Sequence, residues 1–133
     1  MARASGRVEA FSRWLTAFGD AWESGDAAAL ESLFTVGATL APDPFAELLR
    51  GRRAMVAWFG ERFAASPGAA FSAQVLGAGD TYGVAHWRVA AGERALDGVW
   101  VVALDPRGRC ESLREWSHAS RGSPDNGLIS GAG

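Results

Sequence analysis

Two runs decide the fold: Arg94-Ala-Leu-Asp-Gly-Val-Trp-Val-Val-Ala-Leu104 and Cys110-Glu-Ser-Leu-Arg-Glu-Trp-Ser-His-Ala-Ser120. Both are rich in β-branched and aromatic residues and sort into two faces at a period of two, which is the mark of extended strands. Asp105-Pro-Arg-Gly108 lies between them, a turn-forming link too short for a crossover helix, so the pair predicts an antiparallel hairpin. The same period runs through Ala70–Leu76 and Thr81–Ala90, linked by Gly77-Ala-Gly79-Asp80 and by Ala91-Gly92-Glu93. Four consecutive antiparallel strands follow.

Upstream the period is helical. Val8, Phe11, Leu15, Phe18 and Trp22 recur at steps of three and four, predicting a helix over Ser5–Ser24. Gly25 ends it and Asp26 caps a short second helix, Ala27–Phe34, with Leu30, Leu33 and Phe34 inward. Gly37 turns the chain into an extended piece, Ala38–Ala41, stopped by Pro42-Asp43-Pro44 because proline lacks a backbone donor. Gly51 opens a third helix, Arg52–Ala65, with Met55, Trp58, Phe59 and Phe63 on its apolar stripe. Helices segregated from an antiparallel sheet define an α+β class. Residues 1–120 are expected to form one domain, and the Gly/Ser-rich stretch 121–133 a flexible tail.

The composition excludes several functions. A chain of 133 residues is one ordinary domain, and 48% hydrophobic with 21% charged residues is globular. A net charge of −2 argues against a nucleic-acid partner. No apolar run reaches the ~20 residues that span a bilayer, and no signal-peptide pattern opens the chain, so a cytoplasmic protein away from membranes is expected. The lone Cys110 allows no internal disulfide and no zinc cluster. All 13 basic residues are arginine, which excludes Schiff-base chemistry by lysine. Six tryptophans and seven phenylalanines stand beside one tyrosine.

The two faces of Arg94–Leu104 are both apolar near the middle. Leu96, Gly98, Trp100 and Val102 share one; Asp97, Val99, Val101 and Ala103 share the other. A sheet covered by helices on one side should be polar on its far side. The pattern fits a homodimer through the outer sheet face, or Val99 and Val101 serving only as strand formers. If Trp87, Trp100 and Leu113 face the helices, Glu115 goes with them, where a carboxylate is costly unless paired, protonated or wetted.

A resemblance rests on particular residues. Ser32-Leu-Phe-Thr-Val-Gly-Ala-Thr-Leu-Ala-Pro-Asp-Pro-Phe45, then Leu49-Arg-Gly-Arg-Arg-Ala-Met-Val-Ala-Trp-Phe59, and the run Ala95–Arg109 resemble the SnoaL-like and ketosteroid-isomerase-like group of the nuclear-transport-factor-two-like superfamily. The match spans roughly residues 7 to 120. It implies a conical, cystatin-like curved sheet wrapped around the three helices, a deep apolar pocket between them, and dimers. The same fold hosts isomerases, cyclases, hydrolases, dehydratases and binders, so chemistry must come from the site. Asp43-Pro44 stands, one residue late, where the isomerases keep an aspartate base. Phe18 and Trp100 stand where they keep a tyrosine and a protonated aspartic acid, and Phe59 where a second tyrosine often falls. Without those donors, ketosteroid isomerase activity itself is not expected.

Asp43 and Glu115 are the candidate catalytic pair, one carboxyl held protonated and the other ionised by an apolar pocket. Equally, Asp43 fits a turn cap and Glu115 an arginine partner. Phe18, Trp22, Trp58, Phe59, Trp87, Trp100 and Leu113 either line a pocket for a hydrophobic small molecule or fill it. His86, His118 and Arg88 fall on the outer face as secondary candidates. Glu115-x-x-His118 puts its two side chains on opposite faces of a strand, so no metal site is expected, and no cofactor is called for. Two functions remain: a cofactor-independent cyclase, isomerase, dehydratase or hydrolase working by carboxylate acid–base chemistry, or a ligand-binding or dimerisation module without chemistry.

Overall fold

The period-two runs form the expected strands, in a six-stranded sheet ordered β2-β1-β6-β5-β4-β3. The computed structural model describes residues 2–120; the stretch 121–133, expected as a flexible tail, lies outside the described residues. Its elements are α1 (Ala2–Ser24), a 3-10 helix (Ala27–Leu33), β1 (Phe34–Ala41), β2 (Leu49–Arg50), α2 (Arg52–Ala65), β3 (Ala70–Ala78), β4 (Tyr82–Ala91), β5 (Arg94–Leu104) and β6 (Cys110–Ser120). The sheet is curved and unclosed, with the helices on one side, as the α+β reading predicts. It is mixed rather than wholly antiparallel: β1 runs parallel to β6, with Leu40 beside Leu113.

Local signals explain the boundaries. Gly25 takes φ +70°, a conformation that ends α1 without a Cβ penalty. Asp26 then accepts from Ala29 N, capping the short helix. That helix stops one residue before the predicted end, because Phe34 already pairs with Cys110 in the sheet. Gly37 is not the turn it was expected to be; it lies in an irregular stretch of β1 where the register with β6 shifts. Between β5 and β6, Asp105 accepts from Arg107 N and Arg109 N, and these backbone hydrogen bonds hold its carboxyl below the ordinary carboxylate range.

Register confirms the sorting of faces. Ala85, Trp100 and Glu115 lie side by side across β4, β5 and β6, and so do Gly83, Val102 and Leu113, all toward the helices. On the helical side, Phe11, Trp14, Leu15, Phe18 and Trp22 are buried along α1, while Val8 stays exposed. Trp14, at a step of three from Phe11, belongs to this stripe too and donates Nε1–H to Leu33 O at 2.9 Å. Met55, Phe59 and Phe63 close the core from α2.

Gly98 matters to the packing. A Cβ there would stand 2.5 Å from Trp116 O and 2.8 Å from the Trp87 ring. The indole of Trp87 therefore lies directly on the β5 backbone, and only glycine permits that approach.

Candidate functional site

Aromatic rings pack against one another in the interior between helices and sheet. Phe18 packs edge-on against Phe59 and Trp100, each with ring centroids 4.9 Å away, and Trp100 stacks on Trp87 at 4.9 Å. Phe18, Phe59, Trp87, Trp100 and Leu113 are all fully buried in this cluster. Tilted and edge-to-face contacts of this kind add to the burial of large rings and leave little room for a ligand. Of the seven residues considered either to line a pocket or to fill it, five lie in this cluster. Trp58 is half-buried at its rim, and Trp22 borders an open space.

That open space is a depression of about 600 Å³ at the end where α2 finishes, the β4–β5 hairpin turns and β6 runs out. Trp22, Arg62, Ala65, Ser66, Val89 and Leu96 border it. Its size is within the usual range for small-molecule sites. A smaller depression of about 240 Å³, bordered by Arg7, Phe11, Asp80 and Tyr82, lies at the opposite end of β5. Two of its charges are spent on each other, Arg7 Nε being 3.6 Å from Asp80 Oδ1.

Glu115 is the one buried charged residue among the described residues, at 1% exposure. Strand parity puts it inward, and α2 brings its partner. Arg62 Nη1 donates to Oε1 at 2.8 Å and Nη2 to Oε2 at 2.6 Å, a bidentate fork. Trp100 Nε1 donates to Oε1 at 2.8 Å and Ser117 Oγ to Oε2 at 2.9 Å. Four donors thus converge on two oxygens, which offsets the desolvation of the carboxylate. The guanidinium carbon of Arg62 lies 4.4 Å from the Trp58 ring centroid, and the side chain reaches the depression with 19% exposure. Arg62 was not singled out from the sequence. The available signal was a charged residue four after Trp58 and three after Phe59, on the edge of an apolar helix stripe that faces a buried carboxylate.

Asp43 and Glu115 have different surroundings. Asp43 is exposed in the loop after β1, and its Oδ1 accepts from Phe45 N at 2.7 Å, the local turn-capping bond that aspartate commonly makes before proline. Glu115 has the arginine partner. His86, His118 and Arg88 all lie on the outer face: His86 Nε2 is 2.9 Å from both oxygens of Asp97, and Asp97 stands opposite Arg88 and His118 in the register. Burial pushes the Cys110 thiol well above its ordinary value, which leaves it a poor nucleophile. Among the described residues no group of three His, Cys, Asp or Glu side chains is placed to hold a metal ion, and no helix is long and apolar enough to cross a membrane.

A family model described as SnoaL-like domain matches residues 15–124. The chain belongs to the SnoaL-like domain family. The solved structures similar to this SnoaL-like chain share the nuclear-transport-factor-two-like architecture. The epoxide hydrolase/cyclase-like enzyme SalBIII, with a role in pyran ring formation in the polyether salinomycin, is 19% identical, with 86% of this chain and 92% of that chain covered and a TM-score of 0.68. An NTF2-like protein of unknown function from Mesorhizobium loti is 24% identical over 84% and 93%, with a TM-score of 0.65. A steroid delta-isomerase from Pseudomonas aeruginosa is 17% identical over 92% and 90%, also at 0.65. At these identities the likeness is one of fold. Among the curated proteins no relative matches.

Proposed function

We propose that this SnoaL-like chain binds a hydrophobic small molecule in the depression beside α2, with the Arg62–Glu115 pair as the polar end of the site. The observation that carries the reading is Arg62 itself: one edge of its guanidinium is fixed on a buried carboxylate, and the same side chain borders an otherwise largely apolar depression of about 600 Å³. A few fixed polar groups in an apolar wall is the usual make-up of a ligand site. Binding without chemistry is favoured over the Asp43–Glu115 pair because the lone pairs of Glu115 are all engaged and Asp43 caps a surface turn. A second reading, catalysis by Glu115 as a cofactor-independent acid–base group on a bound hydrophobic substrate, draws support from the burial of that carboxylate beside the site. It requires Arg62, Trp100 or Ser117 to release one hydrogen bond when substrate enters. Glu115→Gln separates the two: binding retained with turnover lost supports catalysis.

Native mass spectrometry of the purified protein tests the binding reading. The expected spectrum has an apolar small-molecule adduct that is depleted in Ala65→Trp, whose ring would block the depression from the exposed end of α2. An adduct equally abundant in that variant places the ligand elsewhere.

A homodimer through the outer sheet face belongs to the same proposal. Val84 and Val101 are register partners there, and Val99 stands between His86 and the 43% exposed Trp116. Such an apolar centre on an uncovered face fits a partner surface. Sedimentation is expected to give twice the 14.0 kDa chain mass at micromolar concentration, falling to the monomer in Val99→Arg. A monomer in the unaltered protein would remove the dimer.

A further inference from the structure

Parity puts a second cation on the inner side of the sheet. Arg94 opens β5 and falls in step with Leu96, Gly98 and Trp100, so it shares their helix-facing side. It stands opposite Ala91 across the β4–β5 hairpin and borders the same depression as Arg62. Its guanidinium has no carboxylate partner among the described residues. At the opposite end of β5 the arginines do have one, Asp80 for Arg7 and Asp105 for Arg109. No aspartate or glutamate is among the described residues that border the depression. The chain as a whole carries 15 acidic residues against 13 basic ones, so a wall with arginines alone runs against its overall balance. Glu115 lies behind Arg62, at 1% exposure and with four hydrogen bonds, and it answers one of the two arginines. One positive charge is left facing the depression.

We infer that the depression takes an amphipathic monoanion, a hydrophobic carboxylic acid in its ionised form, and that Arg94 selects for the charge. The inference rests on the binding reading above and adds the chemical class of the ligand. The apolar body of such a molecule meets Trp22, Val89 and Leu96, and its carboxylate meets the guanidinium groups. A planar fork of N–H donors matches a carboxylate in geometry as well as in charge. Arg62 spends two N–H groups on Glu115 and lies against the Trp58 face at 4.4 Å, so it presents its remaining donors in a fixed direction. Arg94 is exposed at the rim and supplies the charge that Glu115 does not cancel. A neutral ligand leaves Arg94 unanswered, a cation is repelled by both arginines, and a dianion exceeds the one positive charge on offer.

Calorimetric or ligand-observed NMR titration at neutral pH with three probes of one shape tests this: 2-naphthoate, 2-acetylnaphthalene and 2-(aminomethyl)naphthalene. The naphthoate is expected to bind roughly tenfold more tightly than the neutral ketone, the worth of a hydrogen-bonded charge contact, and the amine more weakly than either. Salt should weaken the naphthoate and leave the ketone unchanged. In Arg94→Met, a change at an exposed hairpin position, the naphthoate and the ketone should bind about equally, with the ketone as tight as before. Arg53→Met, at the other end of α2, should keep the naphthoate's full advantage. An advantage that survives Arg94→Met, or that Arg53→Met removes equally well, overturns the role of Arg94. Equal binding of naphthoate and ketone to the unaltered protein, or tightest binding by the amine, overturns the anion subsite and leaves the binding reading standing. Binding by none of the three overturns the binding reading, and the subsite with it.

Discussion

Arg62→Met is expected to lower the free energy of unfolding by about 3–5 kcal/mol, because it leaves a carboxylate buried with no counter-charge. Glu115 is 1% exposed, and Arg62 supplies two of its four hydrogen bonds. The single change Glu115→Gln should cost less, since the amide keeps an acceptor for Trp100 Nε1 and Arg62 retains partial access to water. Joining the two substitutions should recover most of the loss, as both charges then leave together. Urea unfolding of the three variants gives the comparison. An R62M midpoint equal to that of the unaltered protein would mean that the pair does not carry the site.

Phe18→Tyr is the second large effect expected, a destabilisation of about 2–4 kcal/mol. The substitution returns the tyrosine that the resembling isomerases keep at this place. Here the added hydroxyl would enter a space already taken by Phe34, Phe59, Phe63 and Trp100. The new oxygen would overpack the core and be buried among rings that carry no acceptor there. Were an open pocket to stand beside Phe18, the hydroxyl would find water and the change would be nearly neutral. Denaturant unfolding, with the near-ultraviolet circular dichroism of the tryptophans as a second readout, distinguishes these outcomes. A neutral Phe18→Tyr restores the deep pocket and contradicts the packed interior.

The strands were legible because their period is short and their links carry Gly, Pro and Asp. Arg94–Leu104 and Cys110–Ser120 have the boundaries that alternation predicts, and α2 spans the Arg52–Ala65 expected after Gly51. Parity alone put Glu115 on the inner face. What escaped was anything depending on contacts between distant segments. The two-residue β2 has no period of its own, and it exists because Leu49 and Arg50 meet Leu40 and Thr39 across a loop. The parallel pairing of β1 with β6 likewise joins ends of the chain that no local rule links. Phe34 reads as the end of a helix until Cys110 is found beside it.

The site shows the same division. Both structural alternatives held open for the carboxylates are what the fold contains: a turn cap at Asp43 and an arginine partner for Glu115. The identity of that arginine depends on the docking of α2 against β6, 53 residues later in the chain. The aromatic excess was visible in the composition. Whether the rings line or fill the interior is a question of volume, which depends on how Gly98 lets Trp87 lie on the strand beneath it and how Phe18 meets Trp100.

On the proposed reading the interior is filled and ligand binds outside it, beside Arg62. Intermolecular nuclear Overhauser contacts from bound 2-acetylnaphthalene to assigned methyl groups test it most directly. Contacts are expected to the methyls of Ala65, Val89 and Leu96, which border the depression. Contacts to Met55 and Leu113 instead, both buried within the aromatic core, would contradict it.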